Sequence, residues 1–357
     1  MAPVPAISFC VPVYNRADQI RTCVESLVRQ TLPDEQYEII IVDDGSTDGS
    51  ADVAEALFAE LGFHQGRVFR LPANSGGASR PRNEAVRHAR GEFLFFVDSD
   101  DYVAADLAAR VCAFAQEHDS DLVYVKYGQV GEGLVPPRGF SERGTIPHAD
   151  IIQDKLLYAT MVHKAFRRSR WLQLGVRFDP AIRVYEDMLV TVTFLFGTTG
   201  HSVLADQDYY FLTNHDSRRL HDADQSVDST FGVYAAVIDE ITGSTRDEDY
   251  RLRAAAVIVN RLMRYGPAAS HPYLSRRCSR EERRQWINRW QVLLAHFPVA
   301  GDRYVSNRFR NQVRSLRQGN LAAARLAVGI ERRWGGHRRL SRLLRGVFWR
   351  VTSLFWK

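Results

Sequence analysis

The sequence predicts an α/β fold in which helices cover both faces of a largely parallel β-sheet and a helical region follows. Three observations support this prediction. Strand-like apolar runs alternate with amphipathic helical stretches over the first hundred residues, as in βαβ units. Polar residues follow each run, where the carboxyl edge of a parallel sheet would lie. Hydrophobic residues make up 45% of the 357 residues, which is enough for a large core.

The first β–α unit begins with the apolar run at residues 7–13, which predicts a buried strand. After Asp18, apolar residues recur at the spacing of one helical face, namely Ile20, Cys23, Val24, Leu27 and Val28. The same alternation predicts strands at residues 37–42, 68–71 and 93–97, with one helix ending near Leu61 and another beginning near Ser79.

The remainder of the chain is less regular. It predicts a helix ending at about His118, a strand at residues 122–125 and a loop rich in glycine and proline at residues 128–139. Residues 231–330 read as helical. Within them Trp286 and Trp290 are four positions apart and therefore lie on one helix face, so we expect both in a core.

Several functional classes are disfavoured by what the sequence lacks. The four cysteines show no close pairing, so neither a disulfide framework nor a cysteine zinc site is expected. The glycine patterns of dinucleotide folds and of P-loops are both missing. The first residues carry no basic segment and no apolar run is long enough for a bilayer, so we expect a cytoplasmic protein, neither secreted nor transmembrane.

The formal net charge of +5 is unevenly distributed along the chain. Residues 332–357 contain seven arginines, one lysine and no acidic residue, so residues 1–331 carry a formal charge of −3. A nucleic-acid-binding domain would show a basic stripe and a recognisable motif in its folded part. The sequence therefore predicts no nucleic-acid partner.

The sharpest local signal is Asp98-Ser99-Asp100-Asp101, which follows a very apolar strand. Carboxylates so close together repel one another unless a cation or several hydrogen-bond donors compensate. Hard oxygen ligands on a short loop suit Mg²⁺ or Mn²⁺ held together with substrate phosphates. The alternative is that one aspartate caps the next helix and the others are solvated.

Four segments in this order resemble glycosyltransferase family 2, whose members have the Rossmann-like GT-A fold; they are residues 11–15, 42–48, 91–93 and 97–101. Three further segments resemble the enzymes that add β-N-acetylglucosamine to the poly(ribitol phosphate) of wall teichoic acid; they are residues 74–77, 81–83 and 185–187. The resemblance covers about residues 5–235. It implies a nucleotide-diphospho-sugar transferase.

The resemblance implies a pocket for the uracil and ribose of a UDP-sugar, formed by Pro12, Tyr14, Asp44, Asn74 and Arg82. It also implies that Asp98 lies by the ribose and the metal and that Asp100 is the principal metal ligand, with Mn²⁺ or Mg²⁺ as the cofactor. Turn geometry is the alternative role for Pro12 and Asn74.

By the same resemblance, Asp187 is the catalytic base and Glu186 lies beside it in the catalytic site, and a single displacement inverts the anomeric centre. The alternative is that both carboxylates merely start the helix that follows. The aromatic run at residues 209–211 resembles a strand of the family, and after it Arg219 or His221 is expected to contact the diphosphate. A solvated loop is the alternative there.

Four parts of the chain are expected: a UDP-sugar-binding half at residues 1–110, an acceptor-binding half at 111–235, a helical region at 236–330 and a basic segment at 331–357. In residues 337–357, apolar positions form one continuous helical face flanked by tryptophans and arginines. This pattern is typical of a helix lying on anionic lipid. The alternative is a terminal helix docked on the protein itself.

Together these features predict a metal-dependent, inverting glycosyltransferase at the inner face of the cell membrane. The expected reaction moves a sugar, N-acetylglucosamine by resemblance, from a UDP donor to a cell-envelope glycopolymer such as teichoic acid. Three alternatives remain open. One is a family 2 enzyme that builds a capsular or lipid-linked saccharide, and another is a non-catalytic sugar-nucleotide-binding protein. The third is a protein that binds nucleic acid through its arginine-rich tail.

Overall fold

The structure is a computed structural model, and it describes residues 4–130, 137, 139–213, 227–265, 278–320, 322–324 and 327. The chain divides into two compact units, Met1–Asp224 and Gln225–Lys357. The finer division into four parts stays a prediction. The basic segment at residues 331–357 lies outside the described residues.

The strands are β1 Ile7–Val13, β2 Tyr37–Asp43, β3 Gly66–Arg70, β4 Phe93–Phe96, β5 Tyr102–Val103, β6 Leu122–Val125, β7 Tyr127–Val130, β8 Lys164–Arg167, β9 His201–Leu204 and β10 Tyr210–Thr213. The helices are α1 Ile20–Val28, α2 Ser50–Glu60, α3 Ser79–His88, α4 Leu107–Glu117, α5 Arg168–Gln173, α6 Glu186–Gly197, α7 Val227–Gly243, α8 Glu248–Tyr265, α9 Arg280–His296 and α10 Arg310–Arg317.

A seven-stranded sheet in the order β3-β2-β1-β4-β8-β6-β9 forms the centre of the first unit. The first four of these strands are parallel, as predicted. Every residue of β1 and β2 is buried, which is expected for parallel strands whose two faces are both covered. Because Val13 pairs with Asp43 at the strand ends, the loops that follow β1 and β2 leave the sheet side by side.

The sequence pattern predicts no strand at β8, which runs antiparallel between β4 and β6. A parallel neighbour would need a crossover connection back to the same edge. Instead, an irregular stretch precedes β8, so the chain enters the sheet from the opposite edge. As a result His163, the residue before β8, lies at the carboxyl end of β4.

A second sheet in the order β5-β10-β7 follows the same edge. The aromatic run predicted as a strand is confirmed, and Tyr210 on β10 is fully buried. Its ring lies against Phe95 of β4, with the ring centroids 6.4 Å apart. The second sheet therefore supports the turn that carries the three neighbouring aspartates.

The second unit is helical in the residues that the structure describes, as the sequence predicts. Trp290 is fully buried, and Phe231 contacts both tryptophans at centroid distances of 6.0 Å to Trp286 and 5.1 Å to Trp290. The predicted core role is confirmed for Trp290, whereas Trp286 is only half-buried. Within the described residues, every helix is too short or too polar to cross a membrane.

Candidate active site

The loops after β1 and β2 are tied together by Asn15. Its backbone amide donates to the Ser46 hydroxyl at 2.9 Å, and its side-chain oxygen accepts from the Thr47 amide at 2.9 Å. Asn15 has a left-handed backbone with φ of 50°, which asparagine tolerates better than most residues. The conformation aims its side chain at the neighbouring loop and closes one side of the candidate site.

Gly45 lets this loop approach the one after β3. A Cβ atom at position 45 would lie 2.7 Å from the carbonyl carbon of Ala73 and from the amide of Asn74. The close approach places Asp44 against the second loop, where one carboxylate oxygen accepts from the Ser75 amide at 3.0 Å, the Ser75 hydroxyl at 2.9 Å and the Asn74 amide group at 3.1 Å.

The other oxygen of Asp44, Oδ1, is buried and has no hydrogen-bond partner among the described residues. Burial raises the pKa of this carboxyl, since desolvation disfavours its charge. A buried carboxylate oxygen without a donor costs free energy that a ligand N–H or O–H can recover. Asp44 is therefore suited to bind a donor group of a ligand.

Two other residues expected around a nucleotide lie on the same edge. The Tyr14 side chain is 43% exposed, which leaves its ring accessible for stacking. Pro12 pairs with Val42 inside the sheet and shapes the start of the loop.

Arg82 on α3 is buried between two carboxylates. Its Nη2 atom donates to Asp98 Oδ1 and its Nη1 atom donates to Glu186 Oε1, both at 2.9 Å. The guanidinium also lies 5.4 Å from the centroid of the Phe178 ring. The predicted nucleotide-binding residue thus joins the aspartate turn after β4 to the first residue of α6.

The second oxygen of Asp98 accepts a hydrogen bond from His163 Nε2 at 3.1 Å. Although burial opposes ionisation, His163 and Arg82 hold the pKa of Asp98 well below its usual range. Asp101 behaves in the opposite way, because burial and the charge of Asp98 raise its pKa to about 7. The Tyr210 hydroxyl and the Thr213 amide each donate to Asp101 at 2.8 Å.

The donor set in this turn fits a divalent cation. Asp98 and Asp101 concentrate negative charge with Asp100, whose side chain is 31% exposed and lies 3.9 Å from Arg16 Nε. Ligand atoms of Asp98, Asp101 and His163 lie within 4.8 Å of one another. The side chains of Asp98 and Asp100 are 35% and 31% exposed, whereas Asp101 is buried and both of its carboxylate oxygens accept hydrogen bonds. Asp98 and Asp100 are therefore the carboxylates of this turn that a cation can reach.

Glu186 and Asp187 begin α6, directly after Tyr185, whose φ of 65° is unusual for a tyrosine. Burial and the charge of Asp187 raise the pKa of Glu186 to about 7, and Arg82 opposes the shift. Asp187 is half-buried and accepts no hydrogen bond within the described part of the chain. One of the two carboxylates is thus held by an arginine, while the other is available at the helix N-terminus.

The expected diphosphate contacts, Arg219 and His221, lie outside the described residues. The remaining predicted side chains meet at one edge of the sheet, as the argument from strand ends requires.

The model of the family described as "Glycosyl transferase family 2" matches residues 8–171. The chain contains a family 2 glycosyltransferase domain. The match includes β1 to β4 and the aspartate turn, and it extends through β8 to Trp171.

Two relatives of this family 2 domain are named for the sugars that they transfer. The chain is 31% identical over 315 residues to a poly(ribitol-phosphate) β-glucosyltransferase of Bacillus spizizenii, an alignment that covers 88% of this chain and 49% of that protein. It is 29% identical over 330 residues to the poly(ribitol-phosphate) β-N-acetylglucosaminyltransferase TarP of Staphylococcus aureus, with 90% and 98% covered. The chain thus spans about half of the first relative and nearly all of the second.

A solved structure resembles the chain over most of its length. It is residues 1–349 of S. aureus TarS in complex with UDP-GlcNAc, with a TM-score of 0.84, 28% identity and 92% of both chains covered. The GT-A fold expected from the sequence is confirmed by this match.

Two residues of the candidate site were missed in the sequence. His163 precedes a strand that the hydrophobic pattern does not reveal, and Tyr210 was assigned to an aromatic strand without a role in the site. The turn of neighbouring aspartates is a signal that buried donors lie nearby, but it does not identify them.

Replacing Glu186 with glutamine should stabilise the folded chain at alkaline pH. The pKa of Glu186 is raised from 4.5 in the unfolded chain to about 7 in the folded chain, so the folded state disfavours the charged form. The folded chain therefore loses stability as the pH rises from 4.5, and the loss is complete above about pH 7. At roughly 1.4 kcal/mol per pKa unit, and allowing for the lost charge pair with Arg82, we expect a gain of about 2 kcal/mol at pH 8 and a smaller gain at pH 5.

Urea unfolding at both pH values measures this difference. The exposed Glu117→Gln variant is the control and should change stability by less than about 0.5 kcal/mol. A Glu186→Gln variant that is less stable than the wild type at pH 8 would contradict the electrostatic account.

Proposed function

We propose that this chain is an inverting glycosyltransferase that moves a sugar from a UDP donor to a hydroxyl of a cell-envelope glycopolymer. The observation that supports this proposal most is the pair of contacts made by Arg82. It joins the aspartate turn, proposed to bind the cation, to the carboxylates of Glu186 and Asp187 at the start of α6. N-acetylglucosamine is the proposed sugar and a poly(polyol phosphate) teichoic acid is the proposed acceptor, by likeness to TarP and to TarS bound to UDP-GlcNAc.

The donor pocket is formed by the loops after β1, β2 and β3. We assign Asp44 Oδ1 to an N–H or O–H group of the uridine, because that oxygen is buried without a partner among the described residues. The accessible ring of Tyr14 stacks on the base, while Pro12 and Asn74 shape the loops around it.

Asp98 and Asp100 would hold Mn²⁺ or Mg²⁺. When bound, the cation neutralises charge on the departing diphosphate. Arg82 and His163 keep Asp98 ionised and fix its orientation. Arg219 and His221, outside the described residues, are proposed to contact the diphosphate on the basis of the sequence resemblance.

Asp187 is the proposed base. Its carboxylate takes the proton from the acceptor hydroxyl, whose oxygen forms a bond to the anomeric carbon as the bond from that carbon to the UDP oxygen breaks on the opposite face. Asp187 lies in the first turn of α6, at the helix N-terminus. Glu186 is held by Arg82 at 2.9 Å and keeps α6 in place against the donor side of the site.

The basic segment at residues 337–357 is proposed to hold the enzyme at an anionic membrane on the cytoplasmic side. Its apolar face includes Leu340, Leu344, Val347, Phe348 and Val351, and five arginines lie largely off that face. Each basic residue near an anionic surface contributes about 1 kcal/mol of binding. A lipid-linked acceptor would be presented at the same surface.

Asp187→Asn should abolish sugar transfer while preserving nucleotide binding. Loss of a general base lowers rates by about 10²- to 10⁴-fold. The measurement is UDP release from a panel of UDP-sugars with Mn²⁺, with and without poly(ribitol phosphate), together with UDP binding by calorimetry.

The control for this experiment is Asp119→Asn, whose side chain is fully exposed, and it should retain wild-type turnover. Substantial transfer by Asp187→Asn would rule out Asp187 as the base. Metal-dependent binding of a UDP-sugar without stimulation by poly(ribitol phosphate) would reject that acceptor and favour a capsular or lipid-linked saccharide. Donor binding without turnover on any acceptor would favour a non-catalytic sugar-nucleotide-binding protein.

Asp44→Asn should weaken UDP binding by about 10- to 100-fold, the range for a hydrogen bond to a charged group. Because the amide can donate, the variant should also lose much of the preference for UDP over CDP. The matched control is Asp121→Asn, a buried aspartate paired with Arg167 and Arg170 at the opposite edge of the sheet. Unchanged UDP affinity in Asp44→Asn would contradict the assignment.

Deletion of residues 337–357 should release the protein from vesicles that contain anionic phosphatidylglycerol. Cosedimentation measures the bound fraction at low and high salt, and neutral phosphatidylcholine vesicles are the control. Equal sedimentation of the shortened and full chains with anionic vesicles would reject the membrane contact.

A further inference from the structure

We propose that His163 is a positioning residue that sets the cation affinity of the donor site by holding Asp98. The proposal rests on the proposed function, because it concerns the cation that accompanies a UDP-sugar. It adds a residue that the sequence motifs do not assign.

The position of His163 is fixed by the antiparallel entry of β8. The residue immediately precedes that strand and is only 3% exposed. Its Nε2 atom lies 3.1 Å from Asp98 Oδ2, while Asp98 Oδ1 accepts from Arg82. Both oxygens of Asp98 are therefore oriented by donors from two different parts of the chain.

Aromatic rings hold the imidazole in place. It stacks on Tyr210 with centroids 4.0 Å apart and an interplanar angle of 8°, and the Tyr127 ring approaches it edge-on at 6.1 Å. The same Tyr210 accepts from the Asp98 amide at 3.0 Å and donates to Asp101. His163 and Tyr210 together contact Asp98 and Asp101 and so hold both ends of the aspartate turn.

The second ring nitrogen of His163, Nδ1, is buried and has no hydrogen-bond partner in the described part of the chain. A core histidine selected for stability would be expected to use both nitrogens, since an unsatisfied buried polar atom is costly. Here the fold uses only the nitrogen that faces Asp98. The buried Nδ1 atom without a partner therefore favours a role for His163 in orienting the carboxylate over a role in stability alone.

A cation held by Asp98 and Asp100 depends on the orientation of these carboxylates. Hydrogen-bond partners behind metal-ligating groups typically change metal affinity by about 10- to 100-fold when they are removed. An Nε2–H group is present both in the imidazolium and in the neutral tautomer protonated at Nε2. In either form it donates to the carboxylate in the same way. The effect therefore depends on geometry rather than on a change of charge.

Four variants separate this role from simple packing. His163→Phe keeps a ring that can stack on Tyr210 but removes the donor. His163→Gln restores an N–H group at about the reach of Nε2, whereas His163→Asn is polar but too short. The matched control is His201→Phe, because His201, the first residue of β9, is also 3% exposed but hydrogen-bonds to Thr198 at the end of α6.

The experiment measures UDP binding to the full chain by calorimetry as a function of Mn²⁺ concentration, with thermal unfolding of each variant alongside. We expect His163→Phe and His163→Asn to raise the Mn²⁺ concentration for half-maximal UDP binding by about 10- to 100-fold. His163→Gln should recover most of the wild-type value. His201→Phe should change the melting temperature but leave the Mn²⁺ dependence within twofold.

A folded His163→Phe variant with the wild-type Mn²⁺ dependence would overturn the proposal, and so would an equal shift in His201→Phe. If His163→Phe does not fold, equal Mn²⁺ dependence of His163→Gln and His163→Asn overturns it instead. Failure of the wild type to bind UDP at any Mn²⁺ concentration would overturn the proposed function itself, which is a distinct result.

Discussion

The buried guanidinium of Arg82 is the contact on which the arrangement of the site depends. It is the shared partner of Asp98, which follows β4, and of Glu186, which begins α6, with both distances at 2.9 Å. Burying one charge alone would be very costly, and removal of the guanidinium would leave both carboxylates without their shared partner. The orientation of α6, and with it the place of Asp187, is therefore coupled to the turn that is proposed to bind the cation.

The same cluster drives neighbouring carboxylates toward different protonation states. The pKa of Asp98 is held well below its usual range, whereas the pKa values of Asp101 and Glu186 are raised to about 7. Groups with opposed shifts at one edge of a sheet are typical of sites that bind or transform ligands. The buried strands β1 and β4, which are apolar except for Ser8, provide the rigid base for this concentration of charge.

The sequence was sufficient to locate the edge of the sheet where the site forms. Strand alternation placed Asp44 and Asp98 at the ends of buried strands, and the structure agrees. The strand β8 was missed because the irregular segment before it shows no periodicity, and His163 was missed with it. The ion pair between Arg82 and Glu186 joins residues 104 positions apart, and no local spacing reveals such a contact.

The most direct test of the account is a crystal structure of the Asp187→Asn variant with UDP-GlcNAc and Mn²⁺. The account predicts uracil against Asp44, the anomalous signal of the cation beside Asp100, Arg82 still bridging Asp98 and Glu186, and residue 187 facing the anomeric carbon. A nucleotide bound away from Asp44, or a residue 187 turned away from the sugar, would contradict it.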